Sequence, residues 1–366
     1  MIGAGHLSVQ LQQHDSAPPV LKITLARSNV ANQLCAGKTV SQALPFISQT
    51  YTLCRYAQRA AADMALTGNE PGPAQRQAIQ LEIIEQTLWR WLLDIPKLLF
   101  NEDNLKKYAA LRKQVTRWQK ALTATTNPLT TLIEPLPSSA DYKALSQEIS
   151  ELLGLAELNS NMPNAGDVEN WINTDTGLAA RIIQFAAQAG EAKKSELTPH
   201  LDSEQLQTNA VDFCNGKRRL IGFTGVRFEM KYQPLLTKLA AIFNEIQLNL
   251  FSRLLLLMDT LQDLVTGQAH LCVGHCLHAP YALSWLMTAR GLLIHRVEFE
   301  AHCANTVKHY QVIAPTDLNF SVYDQSCTFF LQKTDLMQGK LTARILELSV
   351  LTLDPCVDYD VEVTHA

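Results

Sequence analysis

The chain of 366 residues lacks several features that define large classes of protein. It has no run of about 20 apolar residues, the length needed to cross a bilayer. The most apolar stretch, Leu254–Met258, is bounded by Arg253 and Asp259. It also lacks a basic excess, since the formal net charge is −4 and the pI is near 6.2. The sequence therefore predicts neither a membrane span nor a nucleic-acid-binding surface.

An export signal and a disulfide framework are also missing. Residues 1–14 show no basic start followed by an apolar run. The eight cysteines are irregularly spaced in a long chain, which favours reduced thiols. With 47% hydrophobic and 18% charged residues, the composition is that of a folded globular protein. We therefore expect a soluble, cytoplasmic protein. Four cysteines are interpreted as packing residues: Cys35, Cys214, Cys303 and Cys327.

The first part of the chain predicts a hairpin followed by helices. Apolar and polar residues alternate over 7–11 and again over 21–25, with a turn at 15–19 between them. From about Val40 the apolar period becomes helical. A long apolar stripe begins at Pro73, and we expect that helix to end at Pro96.

Further helices fill the middle of the chain, and extended segments follow them. Residues 108–122 and 142–153 predict helices, and the clearest helical stripe runs from Pro234 to Leu264. Residues 297–299 and 310–312 then predict two strands joined near residues 304–305. Leu346, Leu348 and Val350 alternate, so they predict an extended segment leading to Asp354.

These elements predict a mixed α+β fold dominated by long helices, with strands near both ends of the chain. Neither an internal repeat nor a low-complexity linker divides the sequence. We therefore expect a single domain over residues 1–366. If the terminal strands pair, they bring Cys54 and Cys356 toward one place.

Short motifs at both ends of the chain resemble the large subunit of [NiFe] hydrogenases. Gly5-His6-Leu7 resembles that family's R-x-E-G-H-L opening. Residues 34–38 and 53–58 resemble the approach to, and the second half of, R-I-C-G-V-C-x-x-x-H. Asp354-Pro355-Cys356, close to the end of the chain, resembles the terminal D-P-C-x-x-C-x-x-H motif.

A third region, which lies between the two ends of the chain, shows the same resemblance. Ala289-Arg290-Gly291 with His295 resembles A-P-R-G-x-x-x-H, and Tyr310-Gln311 with Pro315-Thr316 follows as the family's Y-Q-x-x-x-P-T does. Each motif is weak alone, but their order is that of the family, and together the matched stretches cover roughly a third of the chain. The resemblance implies a mainly helical, hydrogenase-large-subunit-like domain of reduced size.

Departures from the family pattern decide the expected function. The resemblance implies four thiolate ligands for nickel and iron, but Tyr51 and Tyr359 stand at two of those positions. Cys54 and Cys356 remain. The opening glutamate, a proton-relay residue in the family, is replaced by Ala4. Half of a four-thiolate pocket is a poor site for nickel, so the resemblance implies a protein that does not cycle hydrogen.

These losses resemble the non-catalytic, large-subunit-like accessory proteins of hydrogenase maturation. That resemblance implies a scaffold that holds or assembles the Fe(CN)2(CO) fragment for delivery to the catalytic subunit, with no nickel. It also implies three partners: the small maturation chaperone that carries the fragment, its iron-cyanation partner, and the precursor of the catalytic large subunit.

Six residues form the candidate site on this resemblance: Cys54, Cys356, Arg290, Asp354, Gln58 and His295. The two cysteines would ligate iron. Arg290 would donate a hydrogen bond to a cyanide nitrogen and lower the pKa of both thiols. Asp354 would pair with Arg290. Gln58, one helical turn from Cys54, would face the same pocket.

The residues are also compatible with two other functions. A divergent redox enzyme would use the two remaining thiolates, although Ala4 argues against it. A metal-free decoy would bind maturation partners without needing either cysteine.

A separate cluster of soft ligands allows a zinc site instead: His270, Cys272, His275, Cys276 and His278. On a helix, Cys272 and Cys276 would face one metal. Gly274 and Pro280 argue against a regular helix there, and the alternative is a turn that binds no metal.

Overall fold

The structure, a computed structural model, describes residues 5–14, 20–123, 136–155, 171, 173–174, 176–189, 250–266, 271, 273–320 and 339–365. The helices and strands run in the order β1 (His6–Gln13), β2 (Val20–Ala26), α1 (Val30–Cys35), α2 (Val40–Thr50), α3 (Arg55–Thr67), α4 (Pro73–Trp89), a π-helical turn (Arg90–Asp94), α5 (Ile95–Phe100), α6 (Leu105–Thr123), α7 (Ser139–Leu153), α8 (Leu178–Ala189), α9 (Leu250–Val265), β3 (Val273–His278), β4 (Tyr281–Thr288), β5 (Gly291–Glu300), β6 (Cys303–Ile313), α10 (Pro315–Asn319), α11 (Gly339–Leu353) and β7 (Asp358–His365).

A three-stranded sheet joins the two ends of the chain. β1 lies in its centre, antiparallel to β2 and parallel to β7. The predicted N-terminal hairpin is therefore confirmed, while its turn at 15–19 lies outside the described residues. Leu7, Val9 and Leu11 are fully buried and pack against α11. The alternation of apolar residues in β1 thus fixes which face of the sheet meets the helix.

The prediction of an extended segment over residues 346–350 is wrong, because these residues belong to α11. Leu346 and Val350 pack on the three-stranded sheet, whereas Leu348 and Leu351 pack into the main helical core. The helix lies between two cores and buries more than one face. Its apolar residues therefore fit a period of two as well as a helical period.

A four-stranded antiparallel meander, β3-β4-β5-β6, forms the second sheet. The predicted strand pair at 297–312 is confirmed, but the turn lies at residues 301–302 rather than 304–305. β4 was missed by the sequence analysis. All of its residues after Tyr281 are buried, so the strand shows no alternation of apolar and polar residues.

Helix α3 packs closely against this sheet because the side chains on its buried face are small. Ala57, Ala61 and Ala65 are fully buried, and the Ser284 hydroxyl of β4 donates to the Ala61 carbonyl at 2.6 Å. The helix ends at Gly68, which has a φ of 78° that favours glycine. This packing fixes the position of the N-terminus of α3, where Cys54 lies.

The prediction that the helix beginning at Pro73 ends at Pro96 is wrong, because the chain is still helical at that residue. α4 ends at Trp89, the π turn follows, and Pro96 lies in the first turn of α5, where a missing N–H is tolerated. The Ile95 N–H bonds to the Arg90 carbonyl, five residues back. π turns of this kind often accompany functional sites, and this one contains Arg90.

The other predicted helices are confirmed where they are described. Residues 108–122 lie in α6, residues 142–153 in α7, and the end of the 234–264 stripe in α9. The α+β class is therefore confirmed. Within the described ranges, no helix has the length and apolarity needed to cross a bilayer. The single-domain division stays a prediction.

Truncating a side chain in the terminal sheet should destabilise the protein more than truncating an exposed one. We expect Leu7→Ala to lower the free energy of unfolding by about 2–5 kcal/mol, because it leaves a cavity between β1 and α11. Leu105→Ala, at a position 56% exposed, should change it by less than about 0.5 kcal/mol. Urea unfolding followed by circular dichroism measures both, and equal losses would contradict the central packing of β1.

Candidate metal centre

Cys54 and Cys356 lie near each other, although the strand that brings Cys356 there is β7 and not the extended segment predicted at residues 346–350. Cys54 is the residue before α3, and Cys356 lies two residues before β7. The two sulfurs are near enough for a charge on Cys356 to raise the pKa of Cys54. Both thiols are free and partly buried.

Thr316 and Arg27 hold Cys356 in place. The Thr316 hydroxyl donates to Sγ at 3.0 Å and accepts from the Cys356 backbone N–H at 2.9 Å. Arg27, which follows β2, donates from Nη1 to the same sulfur at 3.5 Å and pairs with Asp317 at 3.2 Å. Arg27 lies in no motif, so its contact with Cys356 was not predicted.

The short helix α10 connects three parts of the site. Its first turn carries Thr316 and Asp317, and its last residue is Asn319. The Asn319 amide donates to the carbonyls of Arg290, at 3.2 Å, and Leu353, at 2.9 Å. α10 thus ties the β4–β5 turn, which carries Arg290, to the segment that carries Cys356.

Asp354 has a positive φ of 50°, which is strained for a residue other than glycine. Arg90 stabilises this conformation by donating from Nε to Asp354 Oδ1 at 2.7 Å and from Nη2 to the Pro355 carbonyl at 3.2 Å. The predicted pairing with Arg290 is also present, with Arg290 Nε 3.4 Å from Oδ1. Asp354 is therefore shared by two guanidinium groups, and the closer one was missed.

Glu82 was also missed, although it lies at the centre of the pocket. Its carboxylate accepts the backbone N–H groups of Tyr56 and Ala57, each at 3.1 Å. These donors belong to the first turn of α3, so Glu82 caps that helix and leaves the Cys54 sulfur free. Burial raises the pKa of Glu82 to about 7. A carboxylate on the apolar face of α4 was the sequence signal for this role.

The expected effect of Arg290 on Cys54 is outweighed by burial. Arg290 lowers the pKa of Cys54, as predicted. Burial and the negative charge of Glu82 raise this pKa by more than Arg290 lowers it, so the resulting pKa is about 12. In the metal-free protein Cys54 is therefore a thiol at neutral pH. A metal that binds it must displace a proton.

Arg290 is held in the pocket by two partners. Its side chain is 7% exposed, and Nη1 donates to Gln86 Oε1. Its buried Nε lies 3.4 Å from Asp354 Oδ1 but makes no hydrogen bond with it or with any other described residue. The ion pair with Asp354 therefore positions the guanidinium group in the pocket.

Gln58 and His295 form a layer behind Cys54. Gln58 Nε2 donates to Cys54 Sγ at 3.6 Å, so the predicted orientation of Gln58 is confirmed. His295 lies on β5, fully buried, with Nε2 2.9 Å from Gln58 Oε1. Its contacts therefore place it behind Gln58, and its assignment to the candidate site stays a prediction. Burial lowers the pKa of His295 to about 3, so the ring is neutral.

Tyr51 and Tyr359, which stand where the resemblance implies two further cysteines, offer no second pair of thiolates. Tyr51 follows α2, and burial raises its pKa to about 12. Tyr359 lies on β7, and burial raises its pKa as well. Neutral phenols are poor ligands for a soft metal. The described site thus presents two thiols.

A cleft of about 980 Å³ opens onto this site. Its lining includes Cys356, Arg290 and Glu82, together with side chains of α4 and α6 such as Trp89 and Arg112. Because the cleft is open to solvent, a group carried by another molecule can reach the Cys356 sulfur.

The alternative zinc cluster receives no support from the described residues. His275, Cys276 and His278 lie on β3, a strand rather than a helix, so His275 and Cys276 point to opposite faces. His270 and Cys272 lie outside the described residues. No group of three or more His, Cys, Asp or Glu side chains placed to hold a metal occurs in the described parts of the chain.

Of the cysteines interpreted as packing residues, Cys35 is buried but Cys303 is exposed, and Cys214 and Cys327 lie outside the described residues.

The fold resembles that of [NiFe]-hydrogenase large subunits. The structure matches an NAD+-reducing [NiFe]-hydrogenase in the H2-reduced state with a TM-score of 0.51 and 14% identity, covering 93% of each chain. It matches the reduced Ni-Fe-Se hydrogenase of D. vulgaris Hildenborough with a TM-score of 0.52 and 8% identity, covering 93% of this chain and 94% of the other. At these identities the likeness concerns the fold alone.

Full-length sequence similarity points to accessory proteins. The chain is 26% identical, over 99% of its length and all of the relative, to the hydrogenase expression/formation protein HupK of Azotobacter vinelandii. It is 27% identical, with the same coverage, to the hydrogenase expression/formation protein HupV of Azotobacter chroococcum mcd 1. No family model matches the chain. The resemblance predicted from the motifs is confirmed.

The raised pKa of Glu82 should make stability depend on pH. The carboxyl titrates near 4.5 when unfolded and near 7 when folded, so the folded state binds more protons between these values. Protonation therefore stabilises the fold below pH 4.5, and this contribution is lost as the pH rises through 7. From pH 4 to 8, the wild type should lose about 3 kcal/mol relative to Glu82→Gln. Urea unfolding at both pH values measures this, and parallel pH profiles would contradict it.

The two kinds of cysteine should differ in reactivity. Cys303 is exposed, and a hydrogen bond from the Thr306 hydroxyl lowers its pKa, whereas the pKa of Cys54 is raised to about 12. Iodoacetamide reacts with thiolates, so at neutral pH Cys303 should be alkylated at least ~10-fold faster than Cys54. Peptide mass spectrometry against time measures both rates. Equal rates in the folded, metal-free protein would contradict the burial of Cys54.

Proposed function

We propose that this chain is a non-catalytic accessory scaffold in [NiFe]-hydrogenase formation, which holds or assembles the Fe(CN)2(CO) fragment before it passes to the catalytic large subunit. The observation that carries the proposal is the proximity of Cys54 and Cys356, whose charges interact. Neutral tyrosines, Tyr51 and Tyr359, stand where the resemblance implies the other two ligands. The names of the full-length relatives, hydrogenase expression/formation proteins, support the same process.

The pocket suits a soft iron fragment that must later leave. Low-spin iron bearing CO and cyanide favours thiolate ligands. Two protein thiolates leave other positions on the iron open to exchange, whereas four would retain it. The same count makes the pocket a poor site for nickel, and we propose that nickel does not bind.

Guanidinium groups provide donors for the cyanide ligands. Arg290 is a nearly buried guanidinium group that is held beside the pocket by Asp354, and Arg27 approaches the Cys356 sulfur at 3.5 Å. Guanidinium donors suit cyanide nitrogen, which is an acceptor only. Their positive charge also offsets the negative charge that the cysteines acquire when they bind iron.

Loading requires that the Cys54 proton leave, and Glu82 is a proton acceptor in the same pocket. Its pKa of about 7 leaves a fraction of the carboxyl ionised at neutral pH. Arg290 interacts with both Glu82 and Cys54, so the same cation stabilises the thiolate that forms.

The open cleft is the route by which partners would deliver and remove the fragment. We propose the small maturation chaperone and its iron-cyanation partner as donors, and the precursor of the catalytic subunit as acceptor, all in the cytoplasm. Cys356 lines the cleft, so a fragment carried by another protein can reach one thiolate before the second closes on it.

Infrared spectroscopy of protein purified without oxygen, after co-production with the maturation proteins, tests this function. We expect CO and cyanide stretching bands in the wild type and their loss in both Cys54→Ser and Cys356→Ser, because a hydroxyl is a poor ligand for this iron.

Cys303→Ser is the matched control, since Cys303 is an exposed cysteine outside the pocket, and it should keep the bands. A wild type without bands, in cells whose maturation proteins carry iron, would contradict the scaffold and favour a decoy that binds partners without metal. Bands that survive in both pocket variants would contradict the assigned ligands.

A further inference from the structure

Three buried polar side chains form a line that ends at Cys54. Tyr310 on β6 places its hydroxyl 2.8 Å from Nδ1 of His295. His295 Nε2 lies 2.9 Å from Gln58 Oε1, and Gln58 Nε2 lies 3.6 Å from Cys54 Sγ. All three side chains are at most 1% exposed. Burying three polar groups is costly unless each is hydrogen-bonded. Their alignment toward Cys54 therefore indicates a functional role at that residue.

The iron-bound state of Cys54 fixes the direction of every hydrogen bond in this line. A metal-bound thiolate can only accept, so the Gln58 amide must turn its N–H toward sulfur and its oxygen toward His295. His295 must then carry its proton on Nε2. A neutral imidazole has a single N–H, so Nδ1 is an acceptor and receives the Tyr310 hydroxyl.

We propose that Tyr310, His295 and Gln58 are positioning residues that hold one N–H donor against the Cys54 thiolate and so set the electron density at the bound iron. This inference rests on the proposed function and deepens it. A hydrogen bond to a ligating sulfur withdraws electron density from it and tunes the metal. His295 acts through Gln58, because its N–H prevents the amide from turning over.

The orientation is robust because each member of the line is fixed by its own element. Gln58 lies on α3, and His295 and Tyr310 lie on the adjacent strands β5 and β6. Tyr310 is further fixed by its backbone N–H, which donates to the Asn32 side chain at 3.0 Å. Burial keeps the His295 ring neutral, with a pKa lowered to about 3. Loss of any one partner would leave a buried group unsatisfied.

The protonated nitrogen of His295 can be measured without any iron. The structure places Gln58 Nε2 toward Cys54 Sγ, so we expect the same direction before iron binds, although a thiol can also donate. Nitrogen-15 NMR of the imidazole in metal-free protein should show His295 protonated at Nε2 and not at Nδ1, and the assignment comes from the signal lost in His295→Leu. A proton on Nδ1 would mean that the three side chains do not hold the Gln58 N–H toward sulfur in advance, and would overturn the proposal.

Infrared spectra of the iron-loaded protein test the effect on the metal. Gln58→Leu keeps a side chain of similar size but removes the N–H, so sulfur becomes a stronger donor and the CO band should move to lower wavenumber. His295→Leu should move the band part of the way, because the freed amide takes both orientations. Gln58→Glu keeps the acceptor for His295 and should shift the CO band while leaving the proton on Nε2.

Tyr142→Phe is the control for these variants. Tyr142 is a tyrosine of α7 whose hydroxyl has no partner among the described residues and whose ring packs on Trp118, so its loss should leave the bands in place. Unshifted bands in Gln58→Leu, at the iron content of the wild type, would overturn the proposal. If the wild type shows no bands, the scaffold function fails, and the NMR result alone then decides whether the line exists as described.

Discussion

The parallel pairing of β1 with β7 is the interaction on which the site depends. It sets His6 opposite Asp358 and Leu7 opposite Tyr359, so the first described strand of the chain is hydrogen-bonded to the last one. Cys356 lies just before β7, and Arg27 just after β2 in the same sheet. A single sheet thus supplies both the sulfur and a cation that contacts it. Because the sheet packs on α11, the apolar face of β1 also determines where the Asp354-Pro355-Cys356 segment leaves that helix.

Charge balance is the second constraint, and it explains why so many ionised groups surround two cysteines. The charged groups that contact or influence the two cysteine segments include Arg27, Arg90, Arg290, Asp317, Asp354 and Glu82. The aspartates are tied into ion pairs that position the arginines. Glu82 instead binds backbone N–H groups and raises the pKa of Cys54. The metal-free pocket thus favours a protonated Cys54, while Arg290 favours the thiolate once iron replaces the proton.

Local periodicity and short motifs in the sequence were enough to predict part of the fold and part of the candidate site. The N-terminal hairpin, α6 and α7 were correctly anticipated. Pairing of strands from the two ends was expected to bring the two cysteines together, but the C-terminal strand was predicted at residues 346–350, and β7 was missed. What escaped prediction depends on tertiary contacts. Arg27 is separated from Cys356 by 329 residues and Arg90 from Asp354 by 264, and neither arginine lies in a motif. α11 was misassigned because it packs on two cores, and β4 was missed because both of its faces are buried.

Contacts within the protein hold both cysteines in place. Thr316 and Arg27 fix Cys356, while the capped helix and Gln58 fix Cys54. Tyr51 and Tyr359, which stand where the resemblance implies two further ligands, pack against the surrounding cores. In a structural zinc site, by contrast, the metal itself supplies the folding energy. Side chains positioned by packing and hydrogen bonds need little rearrangement to accept or release a bound group.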